Sequence, residues 1–345
     1  MVFSYYLYYF PYRFIWKAKN FFKKENDIAF YCGDYLDYLI FKPVLKYLPE
    51  IKIISKNKKV KKELEKHNIK SKLWPCFPKS LIMVRHDIHM FPEKNIKKIG
   101  MRHGVYHFKN FISSKKYNYF DKFLFTSSTE LKQAEKLGIK NGANVGFPKI
   151  DPLFNGEINS QTIKKLKNKI FPNTKPIIIF SATWDKSGMS AIEKWYKKLD
   201  LISDDYNIIV TLHPWISNKY KLSIANNKNI FFIKDKNILP YLAVSDLMVG
   251  DTSSIIAEFC SLNKPIITFK INQAKRLSDE IITMLDEISI RVENFNECVD
   301  AIKYSLKNNT EKSNMRIKWN NIMLDNLDGN AAKRAAKEIK NTFEL

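Results

Sequence analysis

The sequence predicts an α/β protein built from two parallel-sheet domains, and three observations carry that prediction. Short apolar runs alternate with helical stretches from residue 28 onward, the alternation breaks over 142–176, and a second series then begins. Polar residues capable of phosphate or proton chemistry follow several of the runs directly. Strands alternating with helices favour a parallel sheet covered on both faces.

Taken in order, IAFYC (28–32) reads as a buried strand and 34–46 as a helix. IKIIS (51–55) is the next strand, followed by a Lys/Glu-rich amphipathic helix over 57–67. LIMVR (81–85), KKIGM (97–101) and FLFTSS (123–128) complete the first series. A helix over 129–137 is expected to be capped by Ser128 or Thr129 and stopped by Gly138. Residues 142–176 hold 3 Gly and 4 Pro around a Lys-rich helix, the composition of a boundary. The second series runs PIIIFSAT (176–183), IIVTLHP (208–214), NIFFI (229–233), DLMVG (246–250) and PIITF (265–269), with helices over 253–261 and 294–307. The stretch 330–343 reads as one amphipathic helix. The expected division is an N-terminal segment at 1–24, a Rossmann-like domain at 25–155, a second at 156–325, and a C-terminal helix at 326–345. Two such halves are expected to face a central cleft, with ligands beyond the carboxyl ends of the strands.

Composition narrows the partners. The 345 residues carry 58 Lys+Arg against 35 Asp+Glu, a net charge of +23. Hydrophobic residues at 45% and charged residues at 27% exclude a mainly disordered chain, and 10 Gly exclude a collagen-like one. Lysine supplies 51 of the basic residues and arginine 7, a bias that an AT-rich coding genome produces. The remaining excess calls for nucleic acid, an anionic membrane or a phosphate-rich substrate. A non-catalytic polyanion-binding protein is one reading of the charge. Against it, no helix-turn-helix, RNP, KH or zinc-finger pattern occurs and the lysines are spread over most helices, so nucleic acid is not an expected partner. Cys32, Cys76, Cys260 and Cys298 are far apart, without ligand or disulfide spacing, which fits a reducing compartment.

Residues 1–24 contain 11 aromatic, 5 basic and no acidic residues. The charges follow the apolar stretch, unlike a secretory signal, and Pro11 and Arg13 interrupt it well short of the roughly 20 residues of a membrane span. Two readings stand: a segment lying on the cytoplasmic leaflet, with Lys17, Lys19, Lys23 and Lys24 at the phosphates, or a first helix packed on the fold.

The strand ends carry the chemistry. Arg102-His103-Gly104 follows KKIGM, and His213-Pro214 follows IIVTL. Ser181-Ala182-Thr183-Trp184 follows PIIIF. Two histidines at corresponding positions suit proton transfer or hydrogen bonding to phosphate. Asp251-Thr252-Ser253-Ser254 opens a helix after DLMVG, where unpaired N–H groups and small hydroxyls favour an anion. No P-loop or G-x-G-x-x-G occurs. His86 and His89 also follow a strand, and are read as structural or acceptor-side rather than metal-binding.

These residues resemble the CDP-glycerol glycerophosphotransferases of teichoic-acid-type polymer synthesis, over about residues 80–270. The histidine-glycine element matches His103-Gly104, and G-x-P-R-x-D matches Gly146-Phe147-Pro148-Lys149-Ile150-Asp151 with Lys for Arg. The P-T-W-R-like element matches Ser181-Ala182-Thr183-Trp184-Asp185, and L-H-P matches Leu212-His213-Pro214. D-x-S-S and K-P-I-I match Asp251 to Ser254 and Lys264 to Ile267. The resemblance implies a GT-B fold and a transferase that moves an alditol phosphate from a CDP-linked donor to a hydroxyl, releasing CMP. The acceptor implied is an anionic or polyprenyl-linked glycan at the cytoplasmic membrane surface, and no cofactor or metal is expected. Carried over, His103 is the base, and His213, Thr183, Asp251, Thr252, Ser253 and Ser254 serve the donor phosphates. Arg102, Gly104, Lys149 and Asp151 support the acceptor side. Asp251 is alternatively the residue that orients its turn.

Departures surround these positions. Asp185 stands where the family usually has Arg, Val105-Tyr106-His107-Phe108-Lys109 replaces a common T-P-L-K, and Thr252 replaces a frequent Tyr. They keep open a GT-B nucleotide-sugar glycosyltransferase, with Glu258 toward a ribose.

Overall fold

A computed structural model of the chain describes residues 3–21, 27–105, 113–271 and 278–345. The chain divides into two compact units. The described part of the first comprises 3–21, 27–104, 113–151 and 328–345, and the second essentially 152–271 and 278–327.

The first unit opens with helix α1 (Phe3–Asn20), followed by β1 (Ile28–Cys32), α2 (Tyr35–Leu45), β2 (Lys52–Ser55), α3 (Lys58–Lys66), β3 (Lys72–Leu73) and β4 (Ser80–Met83). It continues through β5 (Lys97–Met101), α4 (Ser114–Tyr117), β6 (Lys122–Phe125), α5 (Ser128–Lys136) and β7 (Gly142–Asn144). The strands form one sheet in the order β3-β2-β1-β4-β5-β6-β7, parallel throughout. Every residue of β1 and β4 is buried, which is why their sequences are apolar runs without alternation.

The second unit begins with α6 (Ser160–Ile170), β8 (Ile177–Ala182), α7 (Ile192–Trp195), β9 (Asn207–Leu212), α8 (Asn218–Ala225), β10 (Ile230–Phe232) and α9 (Leu239–Val244). After these come β11 (Leu247–Gly250), α10 (Ile255–Cys260), β12 (Ile266–Phe269), α11 (Asp279–Ile288), β13 (Ile290–Val292), α12 (Phe295–Lys307) and α13 (Ser313–Leu324). Its parallel sheet has the order β10-β9-β8-β11-β12-β13. The chain then returns to the first unit as α14 (Ala331–Phe343). Each sheet reverses its winding once, between β1 and β4 and between β8 and β11. Those points open a crevice at the carboxyl ends of the strands.

Some elements differ from expectation. Three edge strands, β3, β7 and β13, were not expected; each has two or three residues, and only pairing with a longer neighbour makes it a strand. The cap of α5 is Ser127, whose hydroxyl oxygen accepts from the Glu130 N–H, and not Ser128 or Thr129. Gly138, at φ +81°, ends that helix as expected.

Helix α1 packs on the first unit. Tyr12 and Trp16 are buried, and their polar tips donate to the Cys76 and Pro78 carbonyls, each at 2.7 Å. Tyr8 OH donates to Met90 O and Arg13 pairs with Glu93. Burying one such aromatic contributes about 1.5–3 kcal/mol, so this stripe holds the helix in place. Leu7, Phe10 and Phe14, on the opposite stripe, are exposed, as is Phe21 just after the helix. Lys23 and Lys24 lie outside the described residues, and no described helix is long and apolar enough to cross a membrane.

Candidate functional site

In the second unit β8 lies between β9 and β11, so the loops that follow these three strands are neighbours at the carboxyl edge. They carry Thr183, His213 and Asp251–Ser254.

Asp251 organises the edge. Its carboxylate is fully buried and accepts from four backbone N–H groups: Thr183 at 3.0 Å, Ala191 at 3.1 Å, Thr252 at 2.6 Å and Ser253 at 3.1 Å. Burial pushes its pKa up to about 6, while those four donors favour the ionised form. Thr252 is buried too, and its hydroxyl donates to Met189 O. The four polar residues therefore divide in two. Asp251 and Thr252 fix the turn, whereas Ser253 is half-buried and Ser254 is exposed. Ser254 makes no side-chain cap bond to α10, so ordinary capping does not account for its hydroxyl.

His213 is half-buried. Its N–H donates to Ala182 O, and its Nδ1 accepts from Trp215 N–H at 3.1 Å. With Nδ1 engaged, the neutral ring carries its proton on Nε2, the form that donates to a phosphate oxygen. Asp185 ties this loop to the preceding one, its oxygens accepting from Ser217 N–H at 2.9 Å and Ser217 OH at 2.5 Å. Burial works against ionisation, but the Ser217 donors outweigh it and hold Asp185 below the usual carboxylate range. The carboxylate in place of the family's arginine is thus a brace between two loops, and Lys186 stays exposed beside it. Trp184 and Trp215 meet edge to face across the same junction.

In the first unit His103 is exposed just beyond β5, while the preceding Arg102 points inward. Arg102 Nη2 lies 2.6 Å from Glu130 Oε1, and Nη1 donates to Tyr117 OH at 2.8 Å. The guanidinium also sits over the rings of Tyr117, Phe123 and Phe125. Glu130 accepts from Thr126 N–H and OH, so the pair clamps the end of β5 to the start of α5. Arg102 is thereby a support for the loop that carries His103. Sequence reading missed Glu130; its signal was the S-x-x-E spacing from Ser127.

Gly146, Lys149 and Asp151 lie where α14 rejoins the first unit. Asp151 accepts from Ala331 N–H at 3.2 Å and Ala332 N–H at 2.7 Å, capping α14, and Lys149 is buried. Gly146 has φ +85°, and a Cβ there would stand 3.0 Å from Ala331 Cβ. The motif is the seat of the returning helix. His86 packs among Tyr117, Phe120 and Phe123, its pKa lowered to about 4 by burial and then by Arg102 and Lys116. Glu258 is buried in α10. His107 and Lys109 lie outside the described residues.

A second network, unforeseen, fills the switch point of the first sheet. Asp37 accepts from Gly33 N–H, Asp34 N–H and Arg85 Nε, and Lys56 Nζ reaches Asp87 at 3.3 Å.

Two parallel sheets, each with its own switch point and polar loops beyond the carboxyl ends, define an α/β protein of the GT-B type. A solved wall teichoic acid polymerase, TagF, has the same fold, with a TM-score of 0.73 at 15% identity over 97% of this chain and 92% of that one. UDP-GlcNAc 2-epimerase from Neisseria meningitidis is also similar in fold, with a TM-score of 0.60 at 14% identity over 91% and 99% of the two chains. The chain belongs to the CDP-glycerol:poly(glycerophosphate) glycerophosphotransferase family, whose model matches residues 89–341. Among its relatives, the teichoic acid ribitol-phosphate polymerase TarK of Staphylococcus aureus is 25% identical over 59% of this chain and 40% of its own length. The teichoic acid poly(ribitol-phosphate) polymerase of Bacillus spizizenii is 24% identical over 75% and 43%. The teichoic acid glycerol-phosphate primase of Bacillus subtilis is 28% identical over 50% and 46%. The chain thus spans less than half the length of these relatives.

Proposed function

We propose that the chain transfers glycerol phosphate or another alditol phosphate from a CDP-linked donor to a hydroxyl of a cell-surface glycan or polyprenyl-linked acceptor. The observation that carries this reading is the Asp251-braced turn. It presents the Ser253 and Ser254 hydroxyls with the Thr183 loop between them and a His213 whose Nε2 is the donor position. Rigid donors of this kind hold a pyrophosphate and stabilise charge on the phosphoryl oxygens as transfer proceeds.

In the reaction, the acceptor oxygen forms a bond to the phosphorus of the alditol phosphate. The pyrophosphate P–O bond breaks, and its electrons leave with CMP. The acceptor proton goes to His103, exposed beyond β5 on a loop held from behind by Arg102 and Glu130. His213 donates through Nε2 to the departing phosphate.

The setting proposed is the cytoplasmic face of an acidic membrane. The exposed stripe Leu7, Phe10 and Phe14 on α1, continued by Phe21 just after it and flanked by Lys17 and Lys19, supports a helix lying in the interface.

Incubation with CDP-glycerol, CDP-ribitol and UDP-sugars, together with prenyl-linked acceptors, tests the reaction class. CMP release that depends on acceptor is the expected result. Transfer of a sugar with UDP release would instead make the chain a nucleotide-sugar glycosyltransferase on the same fold.

A further inference from the structure

A cavity of about 420 Å³ lies beside the last turn of α1 in the first unit. Lys19, Lys52 and Lys72 converge on it, and Cys76, Phe77 and Pro78 supply an apolar wall. It stands at the sheet edge opposite the catalytic loops. Lys52 and Lys72 are the first residues of β2 and β3, and Asp27 precedes β1, whereas His103 follows the carboxyl end of β5.

The charge in the cavity is uneven. Asp27 pairs with Lys52 at 2.7 Å. Lys19 lies 5.1 Å from the centre of the Phe77 ring, and neither Lys19 nor Lys72 has a carboxylate partner among the described residues. Among the described residues, three ammonium groups against one carboxylate leave a net positive site with an apolar side. Its wall is also part of the α1 seat, because Tyr12, Trp16 and Asn20 bond to the carbonyls of Cys76, Pro78 and Phe77.

We propose that this cavity takes the phosphodiester headgroup of an anionic phospholipid while α1 lies on the bilayer. The inference rests on the interfacial reading of α1 given above. An interfacial helix sinks its apolar face about 5–10 Å into the headgroup boundary, which places groups flanking its inner side in the phosphate layer. Lys19 is such a group: it follows Tyr12 and Trp16 along the inward face, and the exposed apolar stripe lies across the helix. The phosphate meets Lys19, Lys52 and Lys72, and the glycerol backbone lies against Phe77 and Pro78. The apolar stripe supplies membrane attachment, and the lysine cavity supplies preference for acidic lipid.

The test is co-sedimentation of the full chain with phosphatidylcholine vesicles and with equimolar phosphatidylcholine–phosphatidylglycerol vesicles. Each lysine near an anionic surface strengthens binding about fivefold, so the double variant Lys52→Gln/Lys72→Gln is expected to lose about 25-fold of the affinity for the acidic vesicles. Its binding to neutral vesicles is expected to stay at the wild-type level. Lys303→Gln/Lys307→Gln, on exposed positions of α12, removes the same charge elsewhere. Equal loss in both lysine pairs, or no loss in the first, overturns the headgroup site. Phe10→Asp/Phe14→Asp reports separately on α1: wild-type binding by that variant overturns the interfacial reading itself. Melting temperatures confirm that all three variants fold.

Discussion

The Asp251 carboxylate and the Thr183 N–H are 3.0 Å apart, although 68 residues separate them in the chain. That bond joins the loop after β11 to the loop after β8, and the same carboxylate holds Ala191 at the head of α7. A carboxylate without access to water is placed where four N–H groups converge. Removing it leaves those donors buried.

Asp251→Ala is therefore expected to cost at least 3 kcal/mol of stability, at about 1–3 kcal/mol for each buried donor left without a partner. Asp251→Asn keeps one acceptor oxygen and is expected to cost less. Urea unfolding of the two variants gives the comparison. Equal stability of Asp251→Ala and wild type would contradict the role assigned to this group.

The tautomer of His213 leads to an unusual ranking. Because Nδ1 accepts from Trp215 N–H, the group proposed to meet the CDP-linked donor is Nε2–H. Glutamine places an amide N–H close to that position. His213→Gln is thus expected to retain about tenfold more activity than His213→Ala, the latter losing on the order of 10²–10⁴ in kcat/KM for the donor. Steady-state kinetics at varied CDP-alditol decide it, and an Asn variant that outperformed Gln would assign the contact to Nδ1.

Glu130 and Arg102 form a buried pair, and breaking such a pair from one side strands the other charge. Glu130→Ala is expected to destabilise the chain by roughly 3–5 kcal/mol. Burial raises the Glu130 pKa, with Arg102 and the Thr126 groups opposing that rise. Thermal unfolding of Glu130→Ala beside Glu130→Gln separates loss of charge from loss of shape. Indifference to both changes would show that the pair does not hold the His103 loop.

His86 should make folding acid-sensitive. Its pKa is lowered from 6.5 to about 4 in the folded chain, so the unfolded state binds the extra proton first. Stability from this group is present above pH 6.5 and is lost as pH falls toward about 4. After allowance for partial exposure the loss is roughly 2 kcal/mol. Asp37, Asp151 and Asp251, each raised to about 6, act in the opposite sense, contributing stability that declines as pH rises through the same interval. The informative quantity is wild-type stability minus that of His86→Phe, which should fall by roughly 2 kcal/mol on acidification. A difference constant from pH 7 to pH 4 would place the charge change elsewhere.

Much of the fold is legible in the sequence because its central strands are buried on both faces and read as unbroken apolar runs. IAFYC and PIIIFSAT are both central strands for that reason. The edge strands were not legible, since two residues at Lys72–Leu73 carry no pattern of their own. The candidate site residues are picked out by position, immediately after strands, but position does not reveal direction. Arg102 and Asp151 looked as available as His103, yet one side chain turns into the aromatic core and the other caps a helix 180 residues later. Asp185 illustrates the same limit: a substitution that reads as a lost phosphate contact is a brace to Ser217.

In the proposed reaction the chain moves an alditol phosphate with His103 as the base. The most direct measurement is acceptor-dependent CMP release from CDP-glycerol and CDP-ribitol by wild type and His103→Ala, with the product identified by mass spectrometry. The expected result is an acceptor heavier by one alditol phosphate and a rate that falls on the order of 10²–10⁴ in a variant that melts like wild type. Undiminished transfer by His103→Ala, or a product carrying a sugar without phosphate, would contradict it.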